Sequence, residues 1–357
     1  MESEDEQSED EQSEDEKSED EKSEDLVTES ENGSLAKVIN LLNDKTVNVN
    51  YQAGHGGTTP LFVASENGHL DVVKNLLQHG AYVDKAINNG TTPLYIASEK
   101  SHSNVVNALL QHGANVNQAI RDGTTPLYIA SKYGRSDVVN ALLEHKADVG
   151  IIKTYYVITT PLYIASQNGH LPVVKALLEH GADVNSDMVL DAKHKLTPIM
   201  AACGSDHIDV VETLLQNGAD VNRMLYNGTT LLIVMCKKKP LTPERKNIIL
   251  LLLINGADYN IENNSGQSAL KLQPDLIKEF LSLATREMTN HKYNEFLEPA
   301  VVSSLKDYLG GKRKTLKKRK TLKKRKTLKK RKTLKKRKTL KKRKTLKKRK
   351  TFTPFLI

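Results

Sequence analysis

One motif returns six times through the middle of the chain. It reads TTPLFVAS from Thr58, TTPLYIAS from Thr91, Thr124 and Thr159, LTPIMAAC from Leu196 and TTLLIVMC from Thr229. The first two steps are 33 residues, the next three are 35, 37 and 33, and a last step of 38 leads from Thr230 to Ser268 of SALKL. A near-constant period with extra residues confined to certain joints is the mark of stacked supersecondary units. A loop between units lengthens without disturbing the packing on either side of it.

Each unit carries its own helix signals. Thr59-Pro60, Thr92-Pro93, Thr125-Pro126, Thr160-Pro161 and Thr197-Pro198 set a capping hydroxyl ahead of a proline whose fixed φ suits the first helical position. About ten residues later Val72, Val73, Leu76 and Leu77 fall on one side of a second helix, as do Val105, Val106, Leu109 and Leu110, and so on to Ile248, Ile249, Leu252 and Leu253. That face is the predicted core. Burying each such side chain contributes about 1.5–3 kcal/mol, but one helix pair has no second layer to bury against, so the units must stack. Gly80, Gly113, Gly181, Gly218 and Gly256 are placed to end the second helix in the left-handed conformation.

The segments TPLYIAS, GHLDVV and LLEHGADVN resemble the consensus of the ankyrin-repeat family. The resemblance spans residues 26–285 and implies an all-α solenoid of antiparallel helix pairs joined by short hairpin fingers, with a concave binding face. Residues 26–57 read as a divergent N-terminal cap, residues 267–285 as a polar closing cap, and residues 286–311 as a C-terminal helical extension. Departures from the repeat are informative. Lys146 stands where the helix-ending glycine belongs, which costs about 1 kcal/mol if it takes positive φ. Gly150 replaces the following Asn, and the finger from Ile151 to Ile158 is longer and more apolar than the others. The joint between the third and fourth full units is therefore predicted to be the weakest. A basic insertion, KKKPLTPERK, separates the helices of the sixth unit, where Leu231 also takes the place of the helix-starting proline.

Candidate chemistry is sparse. His69, His102, His170 and His207 share one repeat position, so neighbours sit about 8–10 Å apart, too far to share an ion, and a role in the turn between helices is the reading taken. Cys203 and Cys236 also share one position and read as small core residues of a chain kept in a reducing compartment. Phe62, Tyr95, Tyr128 and Tyr163 form an aromatic ladder expected to pack beneath the fingers. No nucleophile elbow, phosphate-binding glycine loop or paired carboxylates emerge, so neither an enzyme nor a cofactor is predicted.

The resemblance implies that protein partners contact the finger tips and the exposed end of each first helix. Carried onto this chain, these places are Asn88, Asn89, Lys100, Arg121, Asp122, Lys132, Tyr133, Gln167, Asn168, His194 and Tyr226, with Tyr155 and Tyr156 on the lengthened finger. Arg121, Tyr133, Tyr155 and Tyr156 are preferred among them, because Tyr and Arg are enriched among interface anchors.

The two ends differ sharply in charge. Residues 1–25 hold fifteen Asp and Glu against two Lys, and residues 312–350 hold twenty-seven Lys and Arg and no acid. The first is predicted to be a disordered acidic arm, since SEDEQ and SEDEK repeats have almost nothing apolar to bury. In the second, TLKKRK occurs six times, and its six-residue step rotates successive leucines by about 120° around a helix, which denies them a common face. A disordered polybasic tail over residues 312–357 follows, with KKRK at Lys317, Lys318, Arg319 and Lys320 resembling a nuclear import signal and suiting nucleic acid or another polyanion. The arm is expected to mask the tail at low salt.

The longest apolar run, Ile248 to Ile254, is far short of the roughly 20 residues of a membrane span, and the acidic start lacks the features of a secretory signal. An intracellular monomer is predicted, an adaptor whose array binds proteins and whose tail directs it to the nucleus or to a polyanion, the cytoplasm being its other location. The alternative is a nucleic-acid-associated protein in which the tail does the main work.

Overall fold

A computed structural model describes residues 17–150, 152–153, 157–189 and 195–289. The chain divides into two units, Met1–Ser282 and Leu283–Ile357. Of the second unit only the backbone of residues 283–289, the end of the last helix, is described.

The described residues fold as successive helix pairs. These are α1 Glu19–Glu31 with α2 Leu35–Asn43, α3 Pro60–Asn67 with α4 Leu70–Gln78, and α5 Pro93–Lys100 with α6 Ser103–Gln111. Next come α7 Pro126–Lys132 with α8 Ser136–Glu144, α9 Pro161–Gln167 with α10 Leu171–Glu179, and α11 Pro198–Gly204 with α12 Ile208–Gln216. The series closes with α13 Leu231–Lys237 and α14 Pro243–Ile254, then α15 Ala269–Leu272 and α16 Pro274–Thr289. The odd-numbered helices from α1 to α11 pack each on the next, α13 packs on α15, and the even-numbered helices from α2 to α14 form a parallel row.

The core lies between the two rows. Leu61, Leu94, Leu127, Leu162, Ile199 and Leu232 reach it from the first helices, and Leu76, Leu109, Leu142, Leu177, Leu214 and Leu252 from the second, all of them fully buried. Each layer thus covers its neighbour's leucines, which is why the period is kept where loops vary.

Local signals act as the sequence implies. The hydroxyls of Thr59, Thr92, Thr125 and Thr160 each accept a hydrogen bond from the backbone amide three residues on, and Thr230 does the same without a following proline. Thr197 is the exception: its hydroxyl is buried without a partner. Lys146 adopts φ 64°, the strained left-handed conformation that its place in the repeat imposes.

The start of the fold corrects the predicted boundary of the acidic arm. Helix α1 begins at Glu19 and takes in seven residues assigned to the arm. Ser18 and Glu21 form a reciprocal capping box, Glu19, Asp20 and Glu21 complement the positive end of the helix dipole, and Ser23, Leu26 and Val27 are buried. Residues 1–16 of the arm, most of the predicted extension at 286–311 and the whole polybasic tail, including Lys317, Lys318, Arg319 and Lys320, lie outside the described residues.

The lengthened fingers form a small antiparallel sheet in the order β1 Ile152–Lys153, β2 Ile158–Thr159, β3 Met188–Val189 and β4 Lys195–Leu196. The β2–β3 pairing, Ile158 opposite Val189, sutures the fingers on either side of the fourth full unit. Tyr163 lies beneath them, buried with Met188 and Ala201 against Val157 and Leu196, which is the place expected for the aromatic ladder.

Candidate functional site

Two kinds of exposed position recur in the array, finger tips and the C-terminal turns of the first helices. They are held in register by ties between units. The histidines supply one set: Nε2 of His69, His102, His170 and His207 lies 2.9, 2.9, 3.0 and 3.1 Å from the carbonyl oxygens of Glu31, Glu66, Lys132 and Gln167 in the preceding unit. These rings bridge units. Among the described residues no three His, Cys, Asp or Glu side chains are grouped to hold a metal.

A second set of ties runs between the loops that follow the second helices. Asn50 Oδ1 accepts from the Tyr82 amide at 2.7 Å, Asp84 from Asn115 at 3.0 Å, and Asn117 from Asp148 at 2.9 Å. Farther along, Asn185 accepts from Asp220 and Asn222 from Asp258, both at 2.8 Å. The register skips one joint. The residue that should clamp the Asp183 amide is Gly150, which has no side chain to do so.

Within this frame the predicted contact residues divide. Asn88 donates its backbone amide to Gly56 at 3.0 Å and its side-chain amide to His55 at 2.6 Å, tying one finger to the previous one. Asn89 accepts from the Thr91 amide at 2.8 Å, and Asp122 accepts from Thr124 at 2.8 Å, so both shape their own turns. Asn168 donates to the Lys132 carbonyl at 2.8 Å. Asn88 and Asn168 thus tie units together, while Asn89 and Asp122 fix local turns.

The remaining predicted residues that the structure describes lie at the surface. Arg121, Lys132 and Gln167 are exposed, Tyr133 is 43% exposed and Tyr226 71%. Lys100 reaches Glu66 at 3.9 Å. Tyr155, Tyr156 and His194 lie outside the described residues. Arg135, absent from the predicted contacts, takes the place of the histidine in its unit. Its guanidinium lies 5.9 Å from the centroid of the Tyr133 ring, and Lys132 Nζ lies 5.4 Å from the same centroid, so two cations flank one exposed ring.

Cys203 and Cys236 are buried, and burial raises both thiols, Cys236 to about 12. Both are core residues.

Overlapping matches to the sequence pattern of tandem ankyrin repeats, three copies at a time, cover residues 26–120, 83–153, 115–188, 151–225 and 186–263. The chain belongs to the ankyrin-repeat family. The crystal structure of the human ASB11 ankyrin repeat domain matches it with a TM-score of 0.52 at 28% sequence identity, covering 64% of this chain and 98% of that one. Ankyrin repeats generally mediate protein–protein interaction and are typically non-enzymatic. No helix among the described residues is long and apolar enough to cross a membrane.

Proposed function

We propose that this ankyrin array is an adaptor. Its finger tips and first-helix ends hold a protein partner, and the polybasic tail takes the complex to the nucleus or to a polyanion. The observation that carries this reading is the pairing of a tied, repetitive frame with exposed anchor-type side chains, Arg121, Tyr133 and Tyr226, at the positions where the units face outward. A frame fixed by inter-unit hydrogen bonds presents such side chains on a backbone that needs no further ordering on binding, which lowers the cost of association.

The charge of the tail favours a second reading, in which the protein works on nucleic acid and the array is secondary. The two separate in one experiment. Protein partners captured by the full chain are compared with those captured by a chain lacking residues 312–357. Retention of the same partners supports the adaptor; their complete loss, together with steeply salt-dependent nucleic-acid binding by the full chain, supports the alternative.

A further inference from the structure

Arg135 and Arg245 share one place in the repeat, three residues ahead of Val138-Val139 and Ile248-Ile249, where His69, His102, His170 and His207 stand in other units. The residue that packs under this place comes from the preceding unit. At the histidine joints it is a glycine with positive φ, as at Gly68 beneath His102. At the two arginine joints it is Ser101 at φ 72° and Asp206 at φ 59°.

One arginine joint is complete. Arg245 donates from Nε and Nη2 to the two carboxylate oxygens of Asp206 at 3.2 and 2.8 Å. At the other joint a serine stands where that carboxylate would be. Arg135 Nε is buried without an acceptor, the only side-chain nitrogen in that condition among the described residues. A buried donor of a charged group left unbonded is costly, and an anion carried by residue 101 would remove the cost as Asp206 does.

We propose that Ser101 is a phosphorylation site and that Arg135 is the receptor for its phosphate. Ser101 is exposed at the turn between α5 and α6, so its hydroxyl is open to a protein kinase. The kinase transfers the γ-phosphoryl group of ATP: the bond from Ser101 Oγ to phosphorus forms as the bond to the ADP oxygen breaks. The hydroxyl proton passes to the kinase's base and ADP leaves. The phosphate carries nearly two negative charges and presents acceptor oxygens that match the arginine fork. They stand one bond farther from Cβ than the oxygens of an aspartate, a difference that the flexible arginine takes up. Lys100, the neighbouring cation, already reaches Glu66 at 3.9 Å, which leaves Arg135 as the partner.

The full chain is prepared with phosphoserine at position 101, and its phosphate is titrated by phosphorus NMR. The second ionisation should fall about half a pH unit or more below its value in the Arg135→Gln chain, and should keep that difference in Lys100→Gln. In the full chain isolated from eukaryotic cells with phosphatases inhibited, phosphopeptide mapping should find phosphate on Ser101. A titration indifferent to Arg135→Gln, phosphate on Ser103 alone, or an unmodified Ser101 would each overturn the proposal.

Discussion

Arg245 grips Asp206 through two hydrogen bonds, Nη2 to Oδ2 at 2.8 Å and Nε to Oδ1 at 3.2 Å, and together they replace a glycine–histidine pair found at other joints. At those joints a left-handed glycine lies under the next unit's histidine: Gly33 under His69, Gly68 under His102, Gly134 under His170 and Gly169 under His207. A Cβ at any of these four glycines would stand 2.5–2.6 Å from the ring. Where the glycine position carries a side chain, Ser101 at φ 72° and Asp206 at φ 59°, the ring is gone and an arginine, Arg135 or Arg245, stands in its place. The two positions change together because a flexible chain can bend around a Cβ that a rigid ring cannot avoid.

Gly169→Ala should therefore cost about 2–4 kcal/mol, the sum of left-handed strain and overpacking against His207. In a His207→Ala background the same change should cost only the strain, about 1–2 kcal/mol. Urea denaturation of the four proteins in this double-mutant cycle measures the coupling. Additive costs would remove the steric account.

Gly150 leaves one inter-unit clamp unmade, next to the strained Lys146. Gly150→Asn should restore the hydrogen bond to the Asp183 amide and stabilise the array by about 0.5–1.5 kcal/mol, while Asn117→Ala should destabilise it by a similar amount. Native-state hydrogen exchange should show the fastest opening among internal joints between the third and fourth full units, slowed in Gly150→Asn. Uniform protection across the array would contradict this.

The first helix pair should respond to acid. The Thr46 amide and hydroxyl and the Lys22 ammonium hold the Asp44 carboxyl at about 2, below the roughly 3.9 of an unfolded chain. A depressed folded value means that the carboxylate's stabilisation is fully present above the unfolded value and is lost as pH falls towards 2. Stability measured by urea between about pH 5 and pH 2.5 should thus decline less in Asp44→Asn than in the unmodified chain.

Much of this architecture was legible in the sequence, because a repeat shows each signal several times. Thr-Pro caps, the Val-Val-x-x-Leu-Leu face and the displaced glycine at Lys146 needed only comparison of one unit with the next. The true start of α1 was hidden for the opposite reason: the capping-box pattern of Ser18 and Glu21 also occurs in the sequence at Ser3, Ser8 and Ser13, so the pattern by itself does not mark the copy that leads into the buried Ser23, Leu26 and Val27. The hydrogen bonds that Asn88, Asn89, Asp122 and Asn168 make within the array were not legible, because an exposed polar residue at a turn reads the same in the sequence whether or not it ties the chain. Arg135 was visible as a departure from histidine, but its reason depends on Ser101 in the previous unit, a relation between residues far apart along the chain.

The most direct test of the account is capture of protein partners by the full chain and by a variant carrying Arg121→Glu, Tyr133→Ala and Tyr226→Ala. These exposed changes should leave the urea midpoint within about 0.5 kcal/mol of the original stability. The account predicts that partners held by the unmodified array are lost from the variant; undiminished capture of the same partners would contradict it.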